Sequence, residues 1–129
     1  MSGLSFLAVF GGAGVGALLR WWLGSWLNPV FPTLPLGTLA ANLGGGLLVG
    51  AASAFFAHND ALAPEWRLLV ITGFLGGLTT FSTFSAEVVR LIGRHDYGWA
   101  LAAASAHLAG SLILTGVGIV IANALFLKA

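Results

Sequence analysis

The stretch from Trp99 to Phe126 reads WALAAASAHLAGSLILTGVGIVIANALF and holds no Asp, Glu, Lys or Arg. A helix needs about 20 apolar residues to cross the hydrocarbon core of a bilayer, so this run suffices. Three runs of the same character precede it. Leu4 to Leu27 ends at Asn28-Pro29, and Pro32 and Pro35 follow closely, a density of proline that marks a connection. Leu36 to Ala57 stops at His58-Asn59-Asp60. Pro64-Glu65-Trp66 then reads as the first turn of a third run reaching Ile92, and Gly93-Arg94-His95-Asp96-Tyr97-Gly98 joins it to the fourth. The expected spans are 4–27, 36–57, 66–92 and 99–126, within one all-α transmembrane domain covering 1–129. Trp21, Trp22, Trp26, Trp66, Tyr97 and Trp99 fall near span ends, where amphipathic rings prefer the interface. The runs are too long for barrel strands and show no period-two alternation.

Composition agrees and excludes much else. Of 129 residues, 58% are hydrophobic and 7% charged, against roughly a quarter charged in soluble domains. Mean hydropathy is +0.98. A net charge of +1 gives no electrostatic footprint for nucleic acid. The absence of cysteine removes disulfides and thiolate metal sites. Four spans leave no room for a soluble catalytic domain, and His107 has no evident nucleophile or metal partner, so an enzyme is not expected. Met1-Ser2-Gly3-Leu4-Ser5 lacks the basic start and small-residue cleavage pattern of a secretory signal, so the first run is expected to be retained. The simplest setting is a bacterial inner membrane, with the lipid bilayer as solvent.

Loop charges do not orient the chain. With the N-terminus inside, Arg67 and Lys128 lie inside while Arg90 and Arg94 lie outside, and Arg20 sits near the outer end of the first span. Either the few charges are uninformative, or the chain inserts both ways and pairs as an antiparallel homodimer about an axis in the membrane plane. Glycines at Gly12/Gly16, Gly46/Gly50 and Gly73/Gly77 are each four apart. Each pair shares a helix face, and small residues there let backbones approach, a main source of helix association in lipid.

Polar groups at membrane depth are functional candidates by default. Asn42 stands within Pro35-Leu36-Gly37-Thr38-Leu39-Ala40-Ala41-Asn42, where its amide must bond a neighbouring helix, water or a ligand. The third span carries Gly73-Phe74-Leu75-Gly76-Gly77-Leu78-Thr79-Thr80-Phe81-Ser82-Thr83-Phe84-Ser85-Ala86-Glu87. Glycines followed by hydroxyl residues make a poor helix, so a break is expected there. A break frees carbonyls, and those from Gly76 to Thr79 could hold a small cation. Phe81 and Phe84 share one face and Thr80, Thr83 and Glu87 an adjacent one. Phenyl rings carry positive edges, so the two rings either pack in the core or present edges to an anion. His107, Ser111 and Thr115 recur every four residues, as a hydrated stripe or as groups bonded back to their own helix. Arg20 either snorkels beside Trp21 and Trp22 or draws anions to a vestibule. Glu87, seven residues past Thr80, raises the alternative of a proton-coupled exporter of small molecules.

The segment Pro35 to Gly45, the run Gly73 to Phe84 and the pattern Gly11-Gly12 to Arg20 together resemble the CrcB/Fluc family of fluoride channels, and the likeness covers essentially the whole chain. The resemblance implies passive fluoride export through two pores in a dual-topology antiparallel dimer. It assigns Asn42 as a fluoride donor and Phe81 and Phe84 as an aromatic box. Ser82 and Thr83 belong to a hydroxyl track that Ser111 and Thr115 continue. Gly76 and Thr79 would give backbone carbonyls to a central structural sodium ion. Thr38, Thr80, Glu87 and His107 are further contributors, and Arg20 belongs to a vestibule. Some members carry a tyrosine one turn before the stripe, where this chain has Ala103. A third reading, a structural subunit without a pore, would have Phe81 and Phe84 serve stability alone.

Overall fold

The computed structural model describes residues 1–127, which leaves Lys128, one of the charges weighed for orientation, outside the described residues. Within them four segments are long and apolar enough to cross a membrane: Gly3–Val30, Leu36–His58, Pro64–Gly93 and Tyr97–Phe126. Helix α1 (Gly3–Leu27) starts where Ser2 accepts a hydrogen bond from the Ser5 amide at 3.1 Å. A 3₁₀ turn, Asn28–Val30, follows. Helix α2 (Leu36–His58) begins after Pro35, which has no side-chain donor or acceptor to cap it. Asn28 supplies the cap from a distance: its Oδ1 accepts from the amides of Gly37 (2.8 Å) and Thr38 (3.1 Å). Two of the unpaired donors of a helix start are thereby satisfied.

The third span is the least regular. Its first part, α3 (64–78), opens with Pro64 at the first helical position and Glu65 in the first turn, both suited to an N-terminus. Leu68–Leu75 is wound as a π-helix and Gly76–Leu78 returns to α. Thr79 (φ −84°, ψ 154°) and Thr80 (φ −148°, ψ 116°) are extended. Helix α4 (Phe81–Gly93) then starts, with Thr80 as its N-cap accepting from the Thr83 amide. The α4 terminus turns at His95, whose φ of 62° lies in the left-handed region. The amides of His95 and Asp96 close the turn on Ile92 O (3.0 Å) and Leu91 O (2.9 Å). Helix α5 (Tyr97–Phe126) completes the bundle.

Packing is that of a protein whose solvent is apolar. Large side chains such as Phe6, Phe10, Leu18, Leu101, Leu112 and Val120 point outward, while the buried positions are dominated by Gly and Ala. In lipid, association comes from close backbone approach rather than from hiding leucines. The two main seams run α1 against α3 and α2 against α5. At the first, a Cβ on Gly12 would lie 2.8 Å from Phe74 N, and one on Gly16 2.7 Å from Leu78 N. At the second, Gly46 and Gly50 lie against the backbone of Ser111 and Thr115. The glycine spacing thus serves contact between helices, and α2 is the most enclosed of the four.

Candidate ion pathway

The extended pair Thr79-Thr80 is held by one side chain. Thr80 N donates to Asn42 Oδ1 at 2.7 Å, and Asn42 Nδ2 donates to Thr80 O at 3.0 Å. The amide therefore pairs with both polar groups of Thr80 as a neighbouring strand would. This diverts bonds from the helical ladder. The Thr80 amide, which a continuous α-helix would direct to Gly76 O, goes to Asn42, and the Thr83 amide, which it would direct to Thr79 O, goes to Thr80 Oγ1 at 3.1 Å. The carbonyls of Gly76 and Thr79 lose their regular α-helical partners. The Thr79 hydroxyl does not replace them, because it donates to Leu75 O at 2.8 Å.

Two hollows meet at Thr80. On one side an open groove of about 390 Å³ is lined by Asn42, Gly76, Thr79, Thr80, Phe81, Phe84, His107, Ser111 and Thr115. Phe81 and Phe84 stand edge to face there, centroids 5.5 Å apart at 79°. The His107 ring stacks on Phe84, centroids 4.6 Å apart at 25°. On the other side Arg20, Asn28, Thr38, Thr80 and Thr83 line a hollow of about 300 Å³. A neighbouring one of about 610 Å³ reaches Ser82, Thr83, Glu87 and Arg90. The hydroxyls of Thr80, Ser82 and Thr83 form a chain at 3.2 and 3.1 Å from Thr80 Oγ1. The Thr38 hydroxyl donates to Glu87 Oε1 at 2.7 Å, while Glu87 Oε2 is buried without a partner among the described residues.

Several side chains act differently from the simplest expectation. Arg20 does not stand alone: its Nε donates to Gly77 O at 3.1 Å, so its half-buried guanidinium joins α1 to α3 at the edge of the smaller hollow. The stripe of α5 is a seam with α2. Thr115 shares its proton between Ser111 O (2.8 Å) and Gly46 O (3.0 Å), and Ser111 reaches Asn42 O at 3.5 Å. His107 Nδ1 is 2.9 Å from Asn42 Nδ2. Asn42 thus has both amide protons and its oxygen engaged, to Thr80 and His107. Sequence reasoning missed Asn28 as an α2 cap and Gly45 as the seat of Thr79, whose methyl occupies the space where a Cβ on Gly45 would lie. Asn before Pro at the end of an apolar run was the only local signal for the first. For the second there was none beyond a glycine among glycines.

No three His, Cys, Asp or Glu side chains converge among the described residues. A cation at this site would therefore rest on carbonyl oxygens, and those of Gly76 and Thr79 are of the right kind, hard oxygen ligands.

Four apolar spans, with an open groove between the second, third and fourth lined by two phenyl rings, hydroxyls and an amide, define a multi-pass membrane protein. Residues 7–119 match the family described as CrcB-like protein, Camphor Resistance (CrcB), and the chain belongs to that family. It is 62% identical over 112 residues to the fluoride-specific ion channel FluC of Nitrosospira multiformis, covering 87% of this chain and 88% of that protein. The protein of the same name from Burkholderia pseudomallei is 58% identical over 120 residues, covering 93% and 94%. That of Burkholderia ambifaria is 55% identical over 125 residues, covering 97% and 98%.

Proposed function

We propose that this chain is a fluoride-selective channel that lets fluoride leave passively, as an antiparallel homodimer in a bacterial inner membrane with one pore on each side of the dimer. The observation that carries the reading is its high identity, along nearly its whole length, to proteins named fluoride-specific ion channels. The geometry supports it chemically. Fluoride is small and tightly hydrated, so a path must offer donors and positive edges in place of water yet release the ion. Arg20 and the hydroxyls of Thr80, Ser82 and Thr83 attract it into the two hollows that these residues line. The edges of Phe81 and Phe84 carry it past the Asn42-Thr80 clamp without strong hydrogen bonds, and Ser111 and Thr115 line the continuation.

A sodium ion fits the same frame. The carbonyls of Gly76 and Thr79, released from the ladder, would hold it, shared with the second subunit. When bound, it supplies positive potential beside the groove and neutralises carbonyl dipoles that lipid would leave unpaired. The chain's own part is to hold those carbonyls in place, through Asn42 on Thr80 and Thr79 on Leu75.

The test is flux from liposomes loaded with fluoride and chloride, in sodium, with purified protein. Fluoride is expected to leave and chloride to stay, and Phe81→Ile or Phe84→Ile to slow the flux in protein that stays folded. Retention of both ions by the wild type overturns the reading, and unchanged flux in both phenylalanine variants assigns the rings to packing. The unpaired buried oxygen of Glu87 favours one rival, a proton-coupled exporter. It predicts a pH-driven efflux of an organic cation that Glu87→Gln abolishes.

A further inference from the structure

The hydrogen bonds around Asn42 fix the position of a proton one residue further away. An amide side chain can be turned end for end, but here Thr80 settles which end is which: its N–H requires an acceptor at 2.7 Å and its C=O a donor at 3.0 Å. Nδ2 therefore points away from Thr80's N–H, and its second proton faces His107 Nδ1 at 2.9 Å. Nδ1 has to accept. The neutral imidazole then carries its own proton on Nε2. His107 is 3% exposed, and Nε2 is buried with no hydrogen-bond partner among the described residues. A buried donor left without an acceptor is rare, and each such group calls for a reason.

The surroundings supply one. His107 lines the groove that Phe81, Phe84 and Ser111 also line. Its ring stacks on Phe84 with centroids 4.6 Å apart at 25°, which sets the imidazole alongside one of the two phenyl rings bordering the groove, with Nε2–H enclosed beside the path and unpaired among the described residues. Asn42, by contrast, has no free proton to offer without letting go of Thr80 or His107. We propose that His107, through Nε2–H, is a direct hydrogen-bond donor to the anion passing this groove, and that Asn42 holds its tautomer. The donor that a saturated amide withholds is presented one ring further along the path.

This rests on the fluoride-channel reading, and the experiment separates the two. In the liposome assay, His107→Phe keeps a ring to stack on Phe84 but removes the donor, whereas His107→Gln keeps a carbonyl for Asn42 and an N–H for the ion. Loss of one hydrogen bond to a charged species predicts at least about tenfold slower fluoride efflux in His107→Phe, and a rate within about threefold of wild type in His107→Gln. If His107→Phe stays within about twofold of wild type, or both variants are equally slow while eluting as wild type does, the proposal falls and the channel reading stands. If the wild type itself passes no fluoride, both fall. A second readout needs no change at the site: side-chain ¹⁵N spectra of histidine in a His58→Gln, His95→Asn background. The His107 ring is expected as the Nε2–H tautomer, with that resonance moving on addition of fluoride and staying put in equal chloride. An Nδ1–H tautomer, no response to fluoride, or the same response to chloride overturns the assignment.

Discussion

Asn42 and Asn28 are both asparagines that bind the chain to itself, and they differ in what their removal leaves behind. Asn28 Oδ1 meets the Gly37 and Thr38 amides at the start of α2, near the membrane surface where water can substitute. Asn28→Ala is therefore expected to cost about 1 kcal/mol, the usual loss of an N-cap, and Asn28→Asp to retain most of the stability. Asn42 is 9% exposed, and its loss strands the N–H and C=O of Thr80 together with His107 Nδ1. Each buried unpaired group costs about 1–3 kcal/mol, so Asn42→Ala should destabilise by clearly more than Asn28→Ala. Unfolding midpoints in detergent measure both, and an equal or smaller loss for Asn42→Ala would mean that water reaches Thr80 freely. A milder effect belongs to His95, a non-glycine residue at positive φ. His95→Gly relieves left-handed strain of order 1 kcal/mol and is expected to raise the same midpoint.

Among the elements, the seams between helices decide stability. A Cβ at Gly50 would run into the Thr115 carbonyl, and one at Gly16 into that of Phe74, and neither backbone can move without parting two helices. Gly14 has nothing within 4 Å of the same construction. Gly16→Val and Gly50→Val are expected to lose about 1–3 kcal/mol or more by overpacking, and Gly14→Ala to be neutral or slightly stabilising through helix propensity. Monodispersity and thermal midpoint after extraction check this, with Gly14→Ala as the control. The four helices and the sharing of faces by Gly12/Gly16 and Gly46/Gly50 were legible because both depend on periodicity, which the chain displays directly. The π-winding of Leu68–Leu75 was not: LLVITGFL is apolar but for one threonine and carries no local signal for a wider turn, although Gly73 within it lies against the α1 backbone. Nor were the partners of the polar groups. Asn42, Thr80 and His107 could be chosen as candidates from their depth, but which proton goes to which acceptor depends on distances between three different spans.

At the scale of the whole molecule, one chain is left with a surface that lipid cannot cover well. Phe81 is 76% exposed, and it borders the open groove that Gly76 and Thr79 also line. Polar groups at membrane depth are tolerated only against protein or in a water-lined cavity, and the proposed dimer would place a second copy over this face. Arg67 and Lys128 on one side balance Arg90 and Arg94 on the other, which leaves insertion in the opposite sense open to a second copy. Because the chain has no cysteine, Asp60→Cys in the α2–α3 connection is a single reporter of side. An impermeant maleimide is expected to label about half the protein from each face of the membrane, as a closed antiparallel pair requires. Labelling from one face alone removes dual insertion. Extra lysines in the same connection should then lock the orientation. Each locked form alone is expected to pass no fluoride, and flux to return only when chains locked in opposite senses are made together. Flux from a single locked form would mean that the groove is completed by a parallel neighbour, or needs none.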